Sequence, residues 1–259
     1  MINKYDKYIF DLDGTLYRGN QIIPGAVEVI NEIKNKGKKV LFISNKTTGS
    51  AKDYFLFMKS NGFNVDESEL ITAGGIIKNY LTKHHSRASF YMIGEERFIR
   101  EMIDAGLKYS ANPAGINIII VTLDRTITKQ KIEIAAQALQ NGALFFAANI
   151  DRTCPVETGE IMDAGDTIEV LENMTGIKLA KNFGKPSEFM REAIRTNLGG
   201  DLNNCLLIGD RLETDIKMGN LLGVDTAHVS TGVISSNGSG QISPTIKLRS
   251  VADLLNGIE

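Results

Sequence analysis

The chain has 259 residues, 42% hydrophobic and 23% charged, with a formal net charge of -2, an ordinary globular composition for one large or two moderate domains. That balance gives no reason to expect nucleic acid as a partner, and the longest apolar run, around Ile118 to Val121, is far too short for a bilayer. Asp6 and Asp11 break the opening apolar stretch, which lacks signal-peptide form, and Cys154 and Cys205 suggest neither a disulfide framework nor zinc. A soluble cytoplasmic protein with no membrane partner is the expectation.

The first strand is read at Tyr8-Ile9-Phe10, an apolar run that stops at Asp11 and Asp13 before a Gly14-Thr15 turn. Period-two alternation sends both carboxylates to one side of the strand end, where they repel and call for a cation or a proton. In open α/β sheets that end of a strand is where ligands bind. Pro24-Gly25 opens a helix with Val27, Ile30 and Ile33 at helical spacing, and Val40-Leu41-Phe42-Ile43 reads as a parallel-sheet strand ending at Ser44-Asn45. Ser50 and Asp53 have capping-box spacing for a helix that stops near Asn61-Gly62, and another helix runs from Ala73 to about Lys83.

From about Ser86 the alternation restarts as a self-contained α/β unit. Strands are expected at Ala88–Ile93, Ile116–Leu123 and Ala143–Ala147, and helices at Glu95–Ala105, Thr128–Asn141 and Gly165–Thr175. Asn149 to Thr158 reads as a polar loop. After Gly176 the chain returns to the first sheet, with a helix over Pro186–Leu198, a strand at Leu206–Ile208, a helix over Glu213–Leu222 and a strand at Val224–Val229. Ser235 to Gly240 reads as a flexible surface loop.

Gly209-Asp210 repeats the opening design, an apolar run meeting an acid, and Glu213 and Asp215 follow at a helix start. A third carboxylate at a strand end makes a hard-cation site plausible beside Asp11 and Asp13. Mg²⁺ suits it better than Ca²⁺, and the absence of a His or Cys cluster argues against zinc. Lys185, just before a helix, opposes that helix's dipole, a conflict that a bound anion would resolve. Ser44 and Asn45 read equally well as turn formers and as phosphate ligands.

Asp11-Leu12-Asp13-Gly14-Thr15, Ser44-Asn45, Gly184-Lys185-Pro186 and Gly209-Asp210 with Asp215 resemble, in order, the four motifs of haloacid dehalogenase (HAD) superfamily phosphatases. The long insert between Ser44 and Lys185, with Val121–Thr128, Ala147–Pro155 and Met174-Thr175-Gly176, is similar to the C2-capped subclass IIA, the NagD/para-nitrophenylphosphatase-like group. The likeness spans essentially the whole chain. It implies an α/β fold: a Rossmann-like parallel-sheet core of residues 1–83 and 180–259 with an inserted α/β C2 cap at 84–179.

It also implies roles. Asp11 would be the nucleophile and Asp13 the acid/base. Mg²⁺ would be held by Asp11, the Asp13 backbone carbonyl and Asp210, with Asp215 orienting bound water. Ser44, Asn45 and Lys185 would hold the phosphoryl group of a small phosphorylated metabolite, such as a sugar phosphate or nucleoside monophosphate. Asp124, Arg125, Asn149, Asp151 and Cys154 would be cap contacts that set specificity. Relatives of this kind often dimerise through the cap, so a homodimer is among the expectations. One departure stands out: the segment usually rich in Pro and Gly before the last cap helix reads Met162-Asp163-Ala164-Gly165-Asp166, where Asp166 adds a charge.

Rival readings fit less well. A haloacid dehalogenase lacks the carboxylate two residues after its nucleophile, and the familiar phosphomutases carry a helical cap elsewhere. A receiver domain is smaller. A phosphate-binding sensor on the same fold would not need Asp11, Asp13, Lys185 and Asp210 all intact.

Overall fold

The apolar run ending in Asp11 becomes β1 (Lys7–Asp11), with every residue from Tyr8 to Asp11 buried, in a computed structural model that describes residues 1–156, 159–232 and 242–256. A hairpin of β2 (Tyr17–Arg18) and β3 (Gln21–Ile22) follows, then α1 (Ala26–Asn35), β4 (Lys39–Ser44), α2 (Ala51–Ser60), β5 (Leu70–Thr72) and α3 (Ala73–His84). The middle of the chain forms β6 (Ser89–Ile93), α4 (Glu96–Asp104), β7 (Lys108–Tyr109), β8 (Ile118–Val121), α5 (Lys129–Gln140) and β9 (Leu144–Ala147). Next come β10 (Thr153–Val156), β11 (Gly159–Met162), α6 (Ala164–Thr175) and β12 (Lys181–Asn182). The last stretch supplies α7 (Glu188–Asn197), β13 (Cys205–Gly209), α8 (Lys217–Leu222), β14 (Asp225–Val229), β15 (Ile246–Leu248) and α9 (Asp253–Asn256).

Two parallel sheets result. The first has the order β15-β14-β13-β1-β4-β5, which puts β1 between partners from opposite ends of the chain. Ile9 is in register with Leu207 on one side and Leu41 on the other. Alternation along β1 then divides the core. Tyr8 and Phe10 pack with Val29, Ile30 and Ile33 of α1 on one face, while Ile9 meets Met190 and Ile194 of α7 and Met218 of α8 on the other. The second sheet has the order β12-β9-β8-β6-β7, with α5 and α6 on one face and α3 and α4 on the other. Among the described residues no helix is long and apolar enough to cross a membrane.

Contacts cross both expected borders, 83/84 and 179/180. Ile77 and Leu81 of α3 pack in the cluster that includes Phe90 and Ile120, so α3 covers the second sheet as well as following β5. Lys181 and Asn182 pair with Phe146 and Ala147, which extends that sheet past residue 179.

Two further expectations change. The stretch from Asn149, read as a polar loop, enters β10, which pairs antiparallel with β11. A four-residue strand containing Pro155 carries no apolar alternation, and its order comes from the partner strand. Glu157 and Thr158 lie outside the described residues, as does the loop expected at Ser235–Gly240. The helix expected over Glu213–Leu222 opens with a π-type turn at Leu212–Ile216 before α8 begins. Such turns recur at functional sites, and this one carries Asp215.

Candidate active site

The carboxyl ends of β1, β4 and β13 converge, as neighbours in one parallel sheet must, and the motif residues converge with them. Asp11 closes β1. The turn beyond it folds back tightly: the N–H groups of Leu16 and Gly14 donate to Leu12 O and Tyr17 O at 2.9 and 2.7 Å. Gly14 has φ +92, and a Cβ there would lie 2.5 Å from Oδ2 of Asp210. Only glycine satisfies both the backbone and the neighbouring acid.

Lys185 is 2% exposed, and its Nζ donates to Asp11 Oδ1 at 2.5 Å and to Asp215 Oδ1 at 2.7 Å. Asp11, Asp210 and Asp215 bring carboxylate oxygens within 4.8 Å of one another, all buried. A single ammonium cannot neutralise that much negative charge. Burial, opposed by the Lys185 charge and reinforced by Asp215, pushes the Asp11 carboxyl up to about 7. Burial works against the charge on Lys185, but Asp11 and Asp215 outweigh it and hold the ammonium above its ordinary range. Surplus buried carboxylate with oxygen-only donors suits a hard divalent cation such as Mg²⁺.

Asp13 leans the other way. Its Oδ2 takes the ammonium of Lys46, while its Oδ1 is buried and accepts no hydrogen bond among the described residues. Ser44 is buried at the end of β4, and its Oγ accepts from the N–H of Lys46 at 3.1 Å. Asp215 is fully engaged, since its Oδ2 also accepts from the Arg211 N–H at 3.0 Å. His228 meets the backbone carbonyl of Asp210 through Nε2 at 2.8 Å. A carbonyl only accepts, so Nε2 carries the proton.

The second sheet's unit closes over this cluster and leaves a cavity of about 40 Å³, room for a water or two and far less than a bound metabolite needs. Core residues Asp11, Asp13, Ser44, Lys185, Asp210 and Asp215 line it from below, with Lys46 and Arg211 beside them. Asp151, Thr153, Cys154, Asp163 and Leu123 face it from the cap. Asn45 Nδ2 donates to Asp151 Oδ2 at 2.8 Å, Arg211 Nη2 donates to the Thr153 carbonyl at 2.6 Å, and Thr47 meets Thr122.

Several expected site residues therefore stand differently. Asn45 lines the cavity, but its amide is spent as a strut. Nδ2 serves Asp151 and the Lys185 carbonyl, and Oδ1 accepts from the Lys185 N–H at 2.6 Å. Gly184 permits that clasp, because a Cβ would lie 2.6 Å from Asn45 Oδ1. Asp151 and Cys154 reach the cavity. Asn149 is buried behind it, donating to Asp151 and Asp163 at 3.2 and 3.0 Å.

Asp124 and Arg125 do not line it. Asp124 accepts from Thr126 and from Lys131 Nζ at 2.6 Å, and Arg125 pairs with Glu95 on the surface. The charge flagged at Asp166 also points away, in an exposed pair with Arg152, and it is Asp163 that enters the cavity. Sequence reading missed Lys46, Arg211, Thr153 and Asp163. The first two directly follow motif residues, a signal that adjacency to Asn45 and Asp210 offered.

A parallel α/β core that gathers acids and one lysine at its strand ends, roofed by a second α/β unit, defines a capped hydrolase of the phosphoryl-transfer kind. The family described as haloacid dehalogenase-like hydrolase matches residues 8–108, and a second HAD-hydrolase-like family matches 182–254. A sugar phosphatase of Bacillus subtilis, AraL, is 32% identical over 95% of this chain and 90% of its own length. Among solved structures, a 4-nitrophenylphosphatase from Thermotoga maritima has a TM-score of 0.87 at 25% identity, covering 100% of this chain and 99% of that one. A glycerol phosphate phosphatase from Mycobacterium tuberculosis, in complex with magnesium, has a TM-score of 0.83 at 26% identity, covering 98% and 77%. The chain belongs to the haloacid dehalogenase-like hydrolases, in the C2-capped subclass IIA. It is an enzyme that hydrolyses phosphomonoesters, a phosphatase of small phosphates.

Proposed function

We propose that this phosphatase is Mg²⁺-dependent and works through an aspartyl-phosphate intermediate on small phosphorylated metabolites, with sugar phosphates and nucleoside monophosphates as the candidate classes. The observation that carries the reading is the meeting of Asp11, Asp13, Lys185, Asp210 and Asp215 at one cavity. Asp11 attacks phosphorus, and the bond to the leaving oxygen breaks as that of the aspartyl phosphate forms. Asp13 protonates the departing alkoxide and then takes a proton from the hydrolytic water, a task that its unpartnered Oδ1 suits.

Lys185 and the Ser44 hydroxyl hold phosphoryl oxygens and offset their charge. Mg²⁺ would be held by Asp11, the Asp13 carbonyl and Asp210, where it supplies Lewis-acid polarisation and charge neutralisation. Asp215, with both oxygens already engaged, orients water from behind. The Asn45 amide holds the Lys185 backbone in line.

Phosphate release from para-nitrophenyl phosphate with Mg²⁺ or with excess EDTA tests the metal. Equal rates in both would remove it from the reaction. Asp11→Asn is expected to abolish turnover while circular dichroism stays unchanged, and a near-normal rate would point to another nucleophile.

A further inference from the structure

Lys46 directly follows Asn45, lines the cavity, and turns its ammonium onto Oδ2 of Asp13. The two side chains are 20% and 10% exposed, so the pair is sheltered from bulk water on most of its surface. Surface ion pairs fix little, whereas a sheltered one resists separation, because either charge left desolvated and alone is costly. The ammonium has further support. It stands 5.9 Å from the centroid of the Tyr17 ring, which is itself 2% exposed and packed edge-on against Phe57 at 5.0 Å. The Tyr17 carbonyl is tied back to the turn that carries Asp13, accepting from the Gly14 N–H at 2.7 Å.

A carboxyl group has two oxygens, and proton transfer needs the correct one to face the reacting bond. Lys46 resolves that choice. With Oδ2 held, Oδ1 is the oxygen left to carry the proton, and it is buried and accepts no hydrogen bond among the described residues. The backbone of the same residue does a parallel job. Its N–H donates to Ser44 Oγ at 3.1 Å, which occupies a lone pair of the hydroxyl and leaves its proton for a phosphoryl oxygen. Lys185 has a different task, since its ammonium is committed to Asp11 and Asp215.

Resting on the aspartyl-phosphate reading above, we propose that Lys46 is a positioning residue for proton transfer: it holds Asp13 by Oδ2 so that Oδ1 protonates the departing oxygen. In that step an oxygen of the Asp11 carboxylate bonds to phosphorus as the bond from phosphorus to the alcohol oxygen breaks. The electron pair of the broken bond stays on the departing oxygen, and the proton on Asp13 Oδ1 moves to it. The products are a neutral alcohol and an Asp13 carboxylate that already faces an ammonium.

Positioning of this kind counts in proportion to the departing oxygen's need for a proton. An alkoxide needs it most, and dinitrophenolate leaves without it. The test measures kcat/KM, which covers the steps up to alcohol departure, for glycerol 3-phosphate and 2,4-dinitrophenyl phosphate with Mg²⁺. Lys46→Met keeps the apolar stem and is expected to lower the first about 100-fold relative to wild type and the second less than about fivefold. Lys46→Arg returns a cation to Oδ2 and is expected to recover roughly tenfold of the loss with glycerol 3-phosphate. The folded fraction cancels when both esters are compared in one preparation, so poor folding cannot mimic the pattern. A parallel loss with both esters, or no loss with either, would overturn the role of Lys46. Asp13→Asn separates this role from the mechanism it rests on, and is expected to show the same dependence on the ester more strongly. Equal loss in Asp13→Asn with both esters rejects the acid/base reading, while the expected pattern there without one in Lys46→Met rejects only the positioning.

Discussion

Removing the Lys185 ammonium while keeping its apolar stem, as Lys185→Met does, strands two acids. Asp11 and Asp215 are 5% and 1% exposed and would lose donors at 2.5 and 2.7 Å. Breaking a buried pair by deleting one partner costs about 3–5 kcal/mol, because the remaining charge stays desolvated. At about 2–4 °C per kcal/mol for a chain of this size, the melting temperature in EDTA should fall by roughly 6–20 °C.

The penalty should also depend on pH. The Asp11 carboxyl, already pushed up to about 7 by burial, loses its main opposing charge and moves further up. At pH 6 a proton on Asp11 replaces the missing cation, whereas at pH 9 nothing does, so the variant should be penalised more at pH 9. Scanning calorimetry at both pH values, with and without Mg²⁺, makes the measurement, and added Mg²⁺ should restore part of the loss. A fall of less than about 2 °C at both pH values would mean that these acids are not held by Lys185.

Asp163 makes a second pH prediction. Burial and the neighbouring Asp151 push it up to about 7, so the folded form keeps a proton that the unfolded chain releases near pH 4. The associated stability is complete below about pH 4 and is lost as the pH rises through about 7, so Asp163→Asn should gain in Tm on wild type between pH 4 and pH 8; equal differences at both would refute this. Gly184→Ala forces a Cβ to within 2.6 Å of Asn45 Oδ1 and 2.7 Å of the Ala148 carbonyl. Overpacking of this kind costs about 1–3 kcal/mol, and kcat should fall with it because the clasp holds Lys185; an unchanged kcat and Tm would refute it. Ser50→Ala removes one half of the capping box on α2, with an expected loss of about 1 kcal/mol in urea unfolding and no change in KM for para-nitrophenyl phosphate.

The catalytic floor was legible in sequence because it breaks a rule. An apolar strand that ends in an acid is costly unless something compensates, and Asp11 and Asp210 advertise that conflict, as Lys185 does at a helix start. The roof was harder to read because its residues obey ordinary rules individually. Asp124 and Arg125 had the right residue types, but a short loop after β8 turns Asp124 to Lys131 and Arg125 to Glu95. Asp163 and Asp166 sit three apart in one segment, and only the direction of α6 decides which of them faces inward. Asn45 illustrates a further limit. Its position next to Ser44 marks the site, yet its amide serves the Lys185 backbone, 140 residues along the chain. The β10–β11 hairpin was missed because short paired strands carry little pattern of their own.

The position of β1 between β4 and β13 also dictates an order of assembly. Lys7 pairs with Cys205, so the centre of the first sheet closes only when residues nearly two hundred positions apart have both been synthesised. The second sheet draws all its strands from the contiguous stretch between Ser89 and Asn182, so on the ribosome the roof can be finished before the floor exists. Until β13 emerges, β1 has an unpaired edge beside Asp11, the kind of edge that recruits foreign strands. A nascent chain of this enzyme is therefore inert towards phosphate esters and most exposed to aggregation at the same moment, and both conditions end when Gly209 reaches its place.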